Sequence, residues 1–326
     1  MRALVVTRPG GPEVLEIRDL PEPAFGPDEV RVRVRATAVN RADVLQRRGR
    51  YPAPPGAPPD VPGLEFAGEV EERGSRVARL RPGDRVMGLL GGGGYAERVA
   101  IHERACLPVP SALTWEEAAA VPEAFLTAFD ALFARGGLAA GETVLVHAAA
   151  SGVGTATLQI AREAGARVVA LSRSASKRRR LEDLGAGRVL DPATEDLAGA
   201  VREAAGGAVD LVVDFLGAGS FRVNLDVLAE RGRLVLVGTL AGSVVEADLS
   251  VLLRKRITVT GTVLRSRPIE EKIALATEFS RRALPLLAAG RIVPVVDRVL
   301  PLEAAGEAHA AMERDENFGK IVLRVS

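Results

Sequence analysis

The stretch TVLVHAAASGVGTATLQIAREAG, Thr143 to Gly165, runs from a continuously apolar strand through a Gly-rich turn into a helix. In such a strand-turn-helix unit the glycines let the backbone approach a pyrophosphate, and the helix N-terminus presents free N–H groups at the positive end of its dipole. Gly152, Val153 and Gly154 are the expected phosphate contacts. The strict G-x-G-x-x-G spacing is not met, because Ala149 and Ser151 stand where its first two glycines would be. The strand, the helix and a second strand do occur at the required spacing, which favours a nucleotide site over a plain turn. At the end of that second strand, in VVALSRSASKRRR (Val168 to Arg180), a unit built for NAD places an acidic residue to accept the ribose hydroxyls. Ser172 occupies that place, followed by Arg173, Ser174 and Lys177. Ser172, Arg173 and Lys177 suit a 2′-phosphate through charge-assisted hydrogen bonds, so the expected cofactor is NADPH, and Arg178 to Arg180 read as a solvated helix face.

Outward from this unit, the short apolar strands Val209 to Phe215, Arg233 to Val237 and Ile257 to Thr260 alternate with helices. That texture predicts a doubly wound parallel sheet covered on both faces, an α/β fold. The first third reads differently. Strands at Ala3 to Val6, Val14 to Arg18, Glu29 to Thr37, Glu65 to Glu72, Arg85 to Leu89 and Tyr95 to Ile101 are short and separated by turns. The alternation Val30, Val32, Val34 marks half-buried antiparallel pairing. The prolines of Tyr51 to Pro62 block helix and central strand alike, predicting a stiff surface loop. A long helix over Glu270 to Ala289, an extended Arg291 to Leu300, a helix from Glu303 and a last strand Lys320 to Val325 return to the texture of the first third. Two domains follow, 1–116 with 265–326 and 117–264.

The chain has 326 residues, more than one hydrophobic core usually supports. Its formal net charge of +1 supplies no field for nucleic acid or an anionic membrane surface. A small-molecule partner is expected instead. With neither a signal peptide nor an apolar span in the sequence and a single cysteine, Cys106, the expected location is the cytoplasm. Cys106 reads as a buried small hydrophobe. His102, His147 and His309 fall in three unrelated elements and read as packing or surface groups. Lysine occurs only at 177, 255, 272 and 320.

With these residues placed, the chain resembles the zinc-independent quinone oxidoreductase family of the medium-chain dehydrogenases/reductases. The segments NRADVLQRRGRYPAPPG (Asn40 to Gly56), PGLEFAGEV (Pro62 to Val70), GDRVMGL (Gly83 to Leu89), GGYAERVAI (Gly93 to Ile101), LVHAAASGVG (Leu145 to Gly154) and FGKIVL (Phe318 to Leu323) carry the resemblance. It implies a mostly antiparallel, GroES-like catalytic domain beside the Rossmann domain. Zinc-dependent relatives hold their catalytic metal through a cysteine and a histidine at the positions matched by Asn40 and Leu64, neither of which suits zinc. The cysteine-rich structural lobe of those relatives is also absent before Gly91, and Glu65 reads as one carboxylate without partners.

The resemblance points to Asn40, Asp43 and Tyr51 as catalytic and to Thr127 as a nicotinamide contact. On the residues alone, Asn40 offers donors and an acceptor, Tyr51 a phenol that can donate at neutral pH, and Asp43 a hold on Asn40 or on the neighbouring arginines, while the alternative is that Asn40 and Asp43 merely cap the helix beginning ADVLQRR. Further cofactor contacts implied by the resemblance are Leu216 and Gly217; Val237, Gly238 and Thr239; Thr262, Val263 and Leu264; and Asn317. The activity it implies is metal-free hydride transfer from NADPH to a quinone. An enoyl or alkenal reductase of the same superfamily and a non-enzymatic NADPH-binding protein are the alternatives. A homodimer paired along the Ile257 to Thr260 strand is also expected.

Overall fold

In a computed structural model, which describes residues 1–325, the chain divides into two compact units, Met1–Leu126 with Leu264–Ser326 and Thr127–Val263. The first opens with β1 (Arg2–Val6), β2 (Leu15–Asp19), β3 (Glu29–Val39), helix α1 (Arg41–Arg47), β4 (Glu65–Arg73), β5 (Arg85–Leu89), β6 (Arg98–His102), β7 (Cys106–Pro108), α2 (Trp115–Ala119) and α3 (Pro122–Phe129). The unit boundary falls inside α3, and one π-helical turn, Asp130–Arg135, follows. The second unit holds β8 (Thr143–Val146), α4 (Gly152–Glu163), β9 (Arg167–Leu171), α5 (Ala175–Asp183), β10 (Arg188–Leu190), α6 (Leu197–Ala205), β11 (Val209–Asp214), α7 (Phe221–Val227), β12 (Leu228–Leu236), α8 (Ser250–Lys255) and β13 (Thr258–Gly261). The first unit is completed by α9 (Ile269–Arg282), α10 (Leu284–Ala288), β14 (Val296–Pro301), α11 (Ala305–Glu313) and β15 (Lys320–Arg324).

In the second unit six parallel strands lie in the order β10-β9-β8-β11-β12-β13. All four residues of β8 are buried, because helices cover both faces of the sheet. The order reverses between β8 and β11, and ligands of doubly wound sheets bind beyond the carboxyl ends of the strands at such a switch point. The Gly-rich turn after β8 lies there. β13 forms one edge of this sheet.

In the first unit the larger sheet runs β14-β15-β3-β4-β5-β7, with β6 also paired to β3. Its pairings are antiparallel except β14 with β15. Inward residues of β3, β4 and β6, including Val30, Val32, Phe66 and Ile101, share one core with Ile321 and Leu323 of β15 and residues of α11. The first half of β3 alternates in burial, but Ala36 to Val39 are all buried, so the strand leaves the one-faced regime as it approaches Asn40. The segment Tyr51 to Pro62 contains no helix or strand. The helix expected over Glu270 to Ala289 breaks at Ala283, two residues before Pro285, which sits in the first turn of α10. Among the described residues no helix is long and apolar enough to cross a membrane.

Candidate active site

The register of β15 against β3 pairs Ile321 with Val39 and so places Lys320 beside Asn40. Glu65 opens β4, the other neighbour of β3. Three polar residues far apart in sequence therefore meet. Asn40, Lys320 and Glu65 are 9%, 4% and 0% exposed. The Lys320 Nζ donates to Asn40 Oδ1 at 2.6 Å, Glu65 Oε1 at 2.7 Å and the Val39 carbonyl at 3.2 Å. An ammonium has three donors, and each has an acceptor. The Asn40 Nδ2 donates to Glu65 Oε1 at 2.8 Å and to the Ala38 carbonyl at 3.2 Å. Glu65 Oε2 accepts from the backbone N–H of Glu123 at 2.8 Å. The amide hydrogens of Asn40 are thus spent inside the protein, and its orientation is fixed. Strand pairing brings Glu65 a lysine partner from a distant part of the sequence, which no local signal marks.

Asp43 lies in the first turn of α1 and is wholly buried. Its Oδ2 accepts from the Asn40 backbone N–H at 2.8 Å, which caps the helix, and its Oδ1 accepts from Gly63 N–H at 2.9 Å. Gly63 has φ of +100°, and a Cβ there would stand 2.5 Å from the Tyr95 nitrogen. Only glycine can make that turn and still reach the carboxylate. The Tyr95 hydroxyl lies 3.2 Å from Asp43 Oδ2 and 3.1 Å from His309 Nε2. Burial pushes the Asp43 carboxyl up to about 6, against the two backbone donors. Burial likewise drives the His309 imidazole down to about 3, so it is neutral in this interior. Asp43 joins the entry of α1 to the chain at Gly63.

Tyr51 is half-buried and is tied to neither Asn40 nor Asp43 by a direct hydrogen bond among the described residues. It belongs to a second cluster built by Arg265, a residue with no motif to mark it in the sequence. The Arg265 guanidinium sits 5.0 Å from the centre of the Tyr51 ring and donates to the Tyr51 carbonyl at 3.1 Å, the Gly91 carbonyl at 2.8 Å and Gln46 Oε1 at 2.5 Å. Arginine's planar fork can hold three separate segments at once. This fixes the start of the proline loop. Burial raises the Tyr51 phenol above its ordinary value, partly offset by Arg265, so it remains protonated at neutral pH.

In the second unit Ser151 caps α4, its hydroxyl accepting from Gly154 N–H at 3.1 Å. A Cβ on Gly154 would lie 2.6 Å from the carbonyl oxygens of Ala148 and Ala149, so this glycine permits close helix-strand packing. Ala148 has φ of +41°, a backbone state costly to a residue with a Cβ, and it lies at the turn itself. Gly152 and Val153 fill the first turn of α4 beside Gly154. Ser172 is buried just past the end of β9, while Arg173 is exposed and Lys177 half-buried on α5. Arg178 is not part of a solvated face. Its guanidinium donates to the Ser172 carbonyl at 2.9 Å, the Arg173 carbonyl at 3.0 Å and Asp191 Oδ2 at 2.9 Å, clamping the turn that carries the phosphate candidates.

Asp214, at the end of β11, accepts from Leu216 and Gly217 N–H at 2.8 and 3.2 Å. It also accepts from Ser220 at 2.8 Å and Asn224 at 3.1 Å, and His147 Nε2 lies 2.7 Å from Asn224 Oδ1. Leu216 and Gly217 are therefore held as a turn, with their amides already engaged. Gly238 and Thr239 follow β12, and the Thr262 hydroxyl donates to Asp130 Oδ2 at 2.5 Å. Val263 is exposed, Leu264 is buried, and Asn317 donates to the Gly319 carbonyl at 2.7 Å. The Thr127 hydroxyl is buried and has no partner among the described residues, as expected of a group that meets a ligand. The glycine-lined first turn of α4, its strained approach at Ala148 and the Thr127 hydroxyl fit a dinucleotide.

Zinc does not fit. Among the described residues no three His, Cys, Asp or Glu side chains gather into a metal set, and Glu65 already faces the ammonium of Lys320.

Residues 26–111 match the alcohol dehydrogenase GroES-like domain, and residues 152–281 match the family described as zinc-binding dehydrogenase. A quinone oxidoreductase of Pseudomonas aeruginosa is 37% identical over 319 residues, 96% of this chain and 96% of its own. The human synaptic vesicle membrane protein VAT-1 homolog is 33% identical over 341 residues, 99% of this chain and 86% of its own. Among solved structures, an NAD-dependent alcohol dehydrogenase has a TM-score of 0.87 at 36% identity, covering 100% of both chains. A mycobacterial protein complexed with NADPH has a TM-score of 0.88 at 33% identity, covering 99% of this chain and 100% of its own. A doubly wound dinucleotide unit with a GroES-like partner unit defines an NAD(P)-dependent oxidoreductase of the medium-chain dehydrogenase/reductase class. Within that class the chain belongs to the zinc-independent, quinone oxidoreductase-like family.

Proposed function

We propose that this protein transfers a hydride from NADPH to a quinone without a metal. The observation that carries the reading is the pairing of Lys320 with Glu65, which leaves no metal-binding donor set beside Asn40 among the described residues. With no Lewis acid to polarise an alcohol or a simple ketone, the acceptor must already be electrophilic. Quinones and conjugated enones qualify. Bound NADPH would supply the hydride, and Ser172, Arg173 and Lys177 would hold its 2′-phosphate. Gly152, Val153 and Gly154 would receive the pyrophosphate at the α4 N-terminus. Thr127 would offer its unpartnered hydroxyl at the nicotinamide end. Hydride arrival leaves negative charge on the acceptor oxygen, and the Tyr51 phenol, kept protonated and held by Arg265, donates a hydrogen bond there. Asn40, immobilised by Lys320 and Glu65, orients the bound groups through the free lone pair of its Oδ1.

Steady-state oxidation of NADPH and NADH with a panel of quinones, enones and alcohols tests this. Quinones with NADPH should turn over fastest and alcohol oxidation should be negligible. Enones outpacing every quinone would make it an alkenal reductase. No turnover with any acceptor, despite tight NADPH binding, would favour the binding-protein reading. The edge strand β13 and the exposed Leu249 and Leu253 of the α8 segment support pairing of two copies as a homodimer. A monomer by light scattering at micromolar concentration would refute that assembly.

A further inference from the structure

The cluster around Asn40 leaves one acidic group without a task. Glu123 lies in the first turn of α3, and its backbone N–H is already given to Glu65. Its own Oε2 is shut off from solvent and has no hydrogen-bond partner among the described residues. An ionised carboxylate cannot easily rest that way, since each buried oxygen needs donors. The charges facing it do not make up the deficit. Lys320 of β15 is committed to Glu65 of β4, Asp43 of α1 adds a like charge, and Lys272 of α9 donates to the Arg265 carbonyl at 2.9 Å. Arg265 and Tyr51 complete the charged and titratable surroundings.

We propose that Glu123 is a catalytic residue of this site, a protonated carboxylic acid that delivers to the reduced acceptor the proton the hydride does not bring. The proposal rests on the hydride-transfer reading above. NADPH, acceptor and one proton yield NADP and reduced acceptor. The hydride carries both electrons to the acceptor and leaves an oxyanion. The O–H bond of Glu123 then breaks, the acceptor O–H bond forms, and the carboxylate, part of a residue that is only half-buried although its Oε2 is enclosed, is reprotonated from water. Burial, with the neighbouring Glu65 second, pushes the Glu123 carboxyl up to about 8, so it is mostly protonated at neutral pH. The phenol of Tyr51 is a poorer acid than usual, suited to a steady hydrogen bond rather than to giving up its proton. An acid of the strength of Glu123 protonates a phenolate-like oxygen of ordinary pKa about 10 downhill.

Two measurements on the full-length protein test this. The first is infrared difference spectroscopy of the cofactor-free protein, wild type against Glu123→Gln, across a pH titration. The carboxylic C=O band of a protonated acid should be present at neutral pH, vanish near pH 8, and be missing in the variant. The second is the pH dependence of kcat with the best acceptor found. Wild-type turnover should fall as pH rises through about 8, because the acid form is required. Glu123→Gln should lower kcat about a hundredfold and lose that limb, with NADPH affinity unchanged. Glu123→Asp should restore part of kcat, which separates proton delivery from loss of packing. Absence of the band, or a Gln variant with full turnover and the same alkaline limb, overturns the proposal. A band present in a protein that reduces no quinone, enone or other acceptor overturns the hydride-transfer reading and the catalytic role with it, while leaving the protonated state of Glu123 established.

Discussion

The buried polar cluster of the GroES-like unit carries opposite charges, Lys320 against Glu65, whereas that of the dinucleotide unit is a carboxylate, Asp214, surrounded by backbone amides, a hydroxyl, an amide and, beyond it, a histidine. Asp214 closes β11 and Asn40 follows the end of β3, whereas Glu65 and Lys320 open β4 and β15. The dinucleotide cluster reaches less far along the chain: His147 to Asn224 is its longest span, and its role is to shape the turn at Leu216 and Gly217. The charged cluster joins β3, β4 and β15, so it ties the two ends of the chain around Asn40. A lone carboxylate with several donors tolerates partial loss. A charge pair does not, because removing one member strands the other in the interior.

Breaking the pair should therefore show the largest effect. Lys320→Met leaves Glu65 uncompensated and should cost about 3–5 kcal/mol by urea denaturation, while Asp214→Asn should cost about 1–3 kcal/mol. Adding Glu65→Gln to Lys320→Met should recover part of the loss. If Asp214→Asn proved the more damaging, the contrast between the clusters would be reversed.

The next contrast is between binding and chemistry. Tyr51 lies in the unit without the nucleotide turn, so Tyr51→Phe should leave the NADPH dissociation constant nearly unchanged. Loss of a donor to the developing oxyanion should lower quinone turnover by up to about 2.7–4 kcal/mol of barrier. Single-turnover kinetics, in which hydride transfer is observed directly, provides the check. Full turnover in the Phe variant would remove Tyr51 from the chemistry.

What the sequence shows of these two regions differs for a physical reason. The dinucleotide unit is made of local signals: an apolar strand, a turn and a helix follow each other within Thr143 to Gly165, and α4 begins at Gly152 as that pattern predicts. Ser172 is found by counting along one strand. The charged cluster is made of long-range pairings. Nothing near Lys320 marks it as more than the start of a strand, and only its register against β3 gives it Glu65 and Asn40. Arg265 is hidden similarly, since its three acceptors come from helix α1 at Gln46, the loop at Tyr51 and the turn at Gly91. Strands β7 and β10 have three residues each, too few to display a period, and neither was legible.

Within the dinucleotide unit, charge should matter for selectivity more than for stability. Arg173→Ala and Lys177→Ala should each shift the NADPH to NADH affinity ratio by about ten- to a hundredfold, equivalent to about 1.5–3 kcal/mol per charged contact. Titration of both dinucleotides by cofactor fluorescence gives the ratio. An unchanged ratio in both variants would leave the 2′-phosphate assignment without support.

The smallest effect concerns the degenerate glycine motif itself. Ser151 stands where a G-x-G-x-x-G sequence has its second glycine, yet its backbone, φ −74° and ψ 167°, is an ordinary extended one that any residue adopts. Glycine is not needed there for conformation. The serine instead donates a function that glycine lacks, since its hydroxyl accepts the Gly154 N–H and closes the first turn of α4. Ser151→Ala should then cost about 1 kcal/mol of stability, and Ser151→Gly only a few tenths, because glycine is itself a tolerable cap. The cap also competes with a pyrophosphate for the Gly154 amide. Ser151→Gly should therefore bind NADPH at least as tightly as wild type despite its slightly lower stability, and the two properties should move in opposite directions. Thermal denaturation with and without NADPH measures both in one experiment. If Ser151→Gly loses affinity while Ser151→Ala does not, the hydroxyl is itself a ligand of the phosphate, and capping is its secondary role.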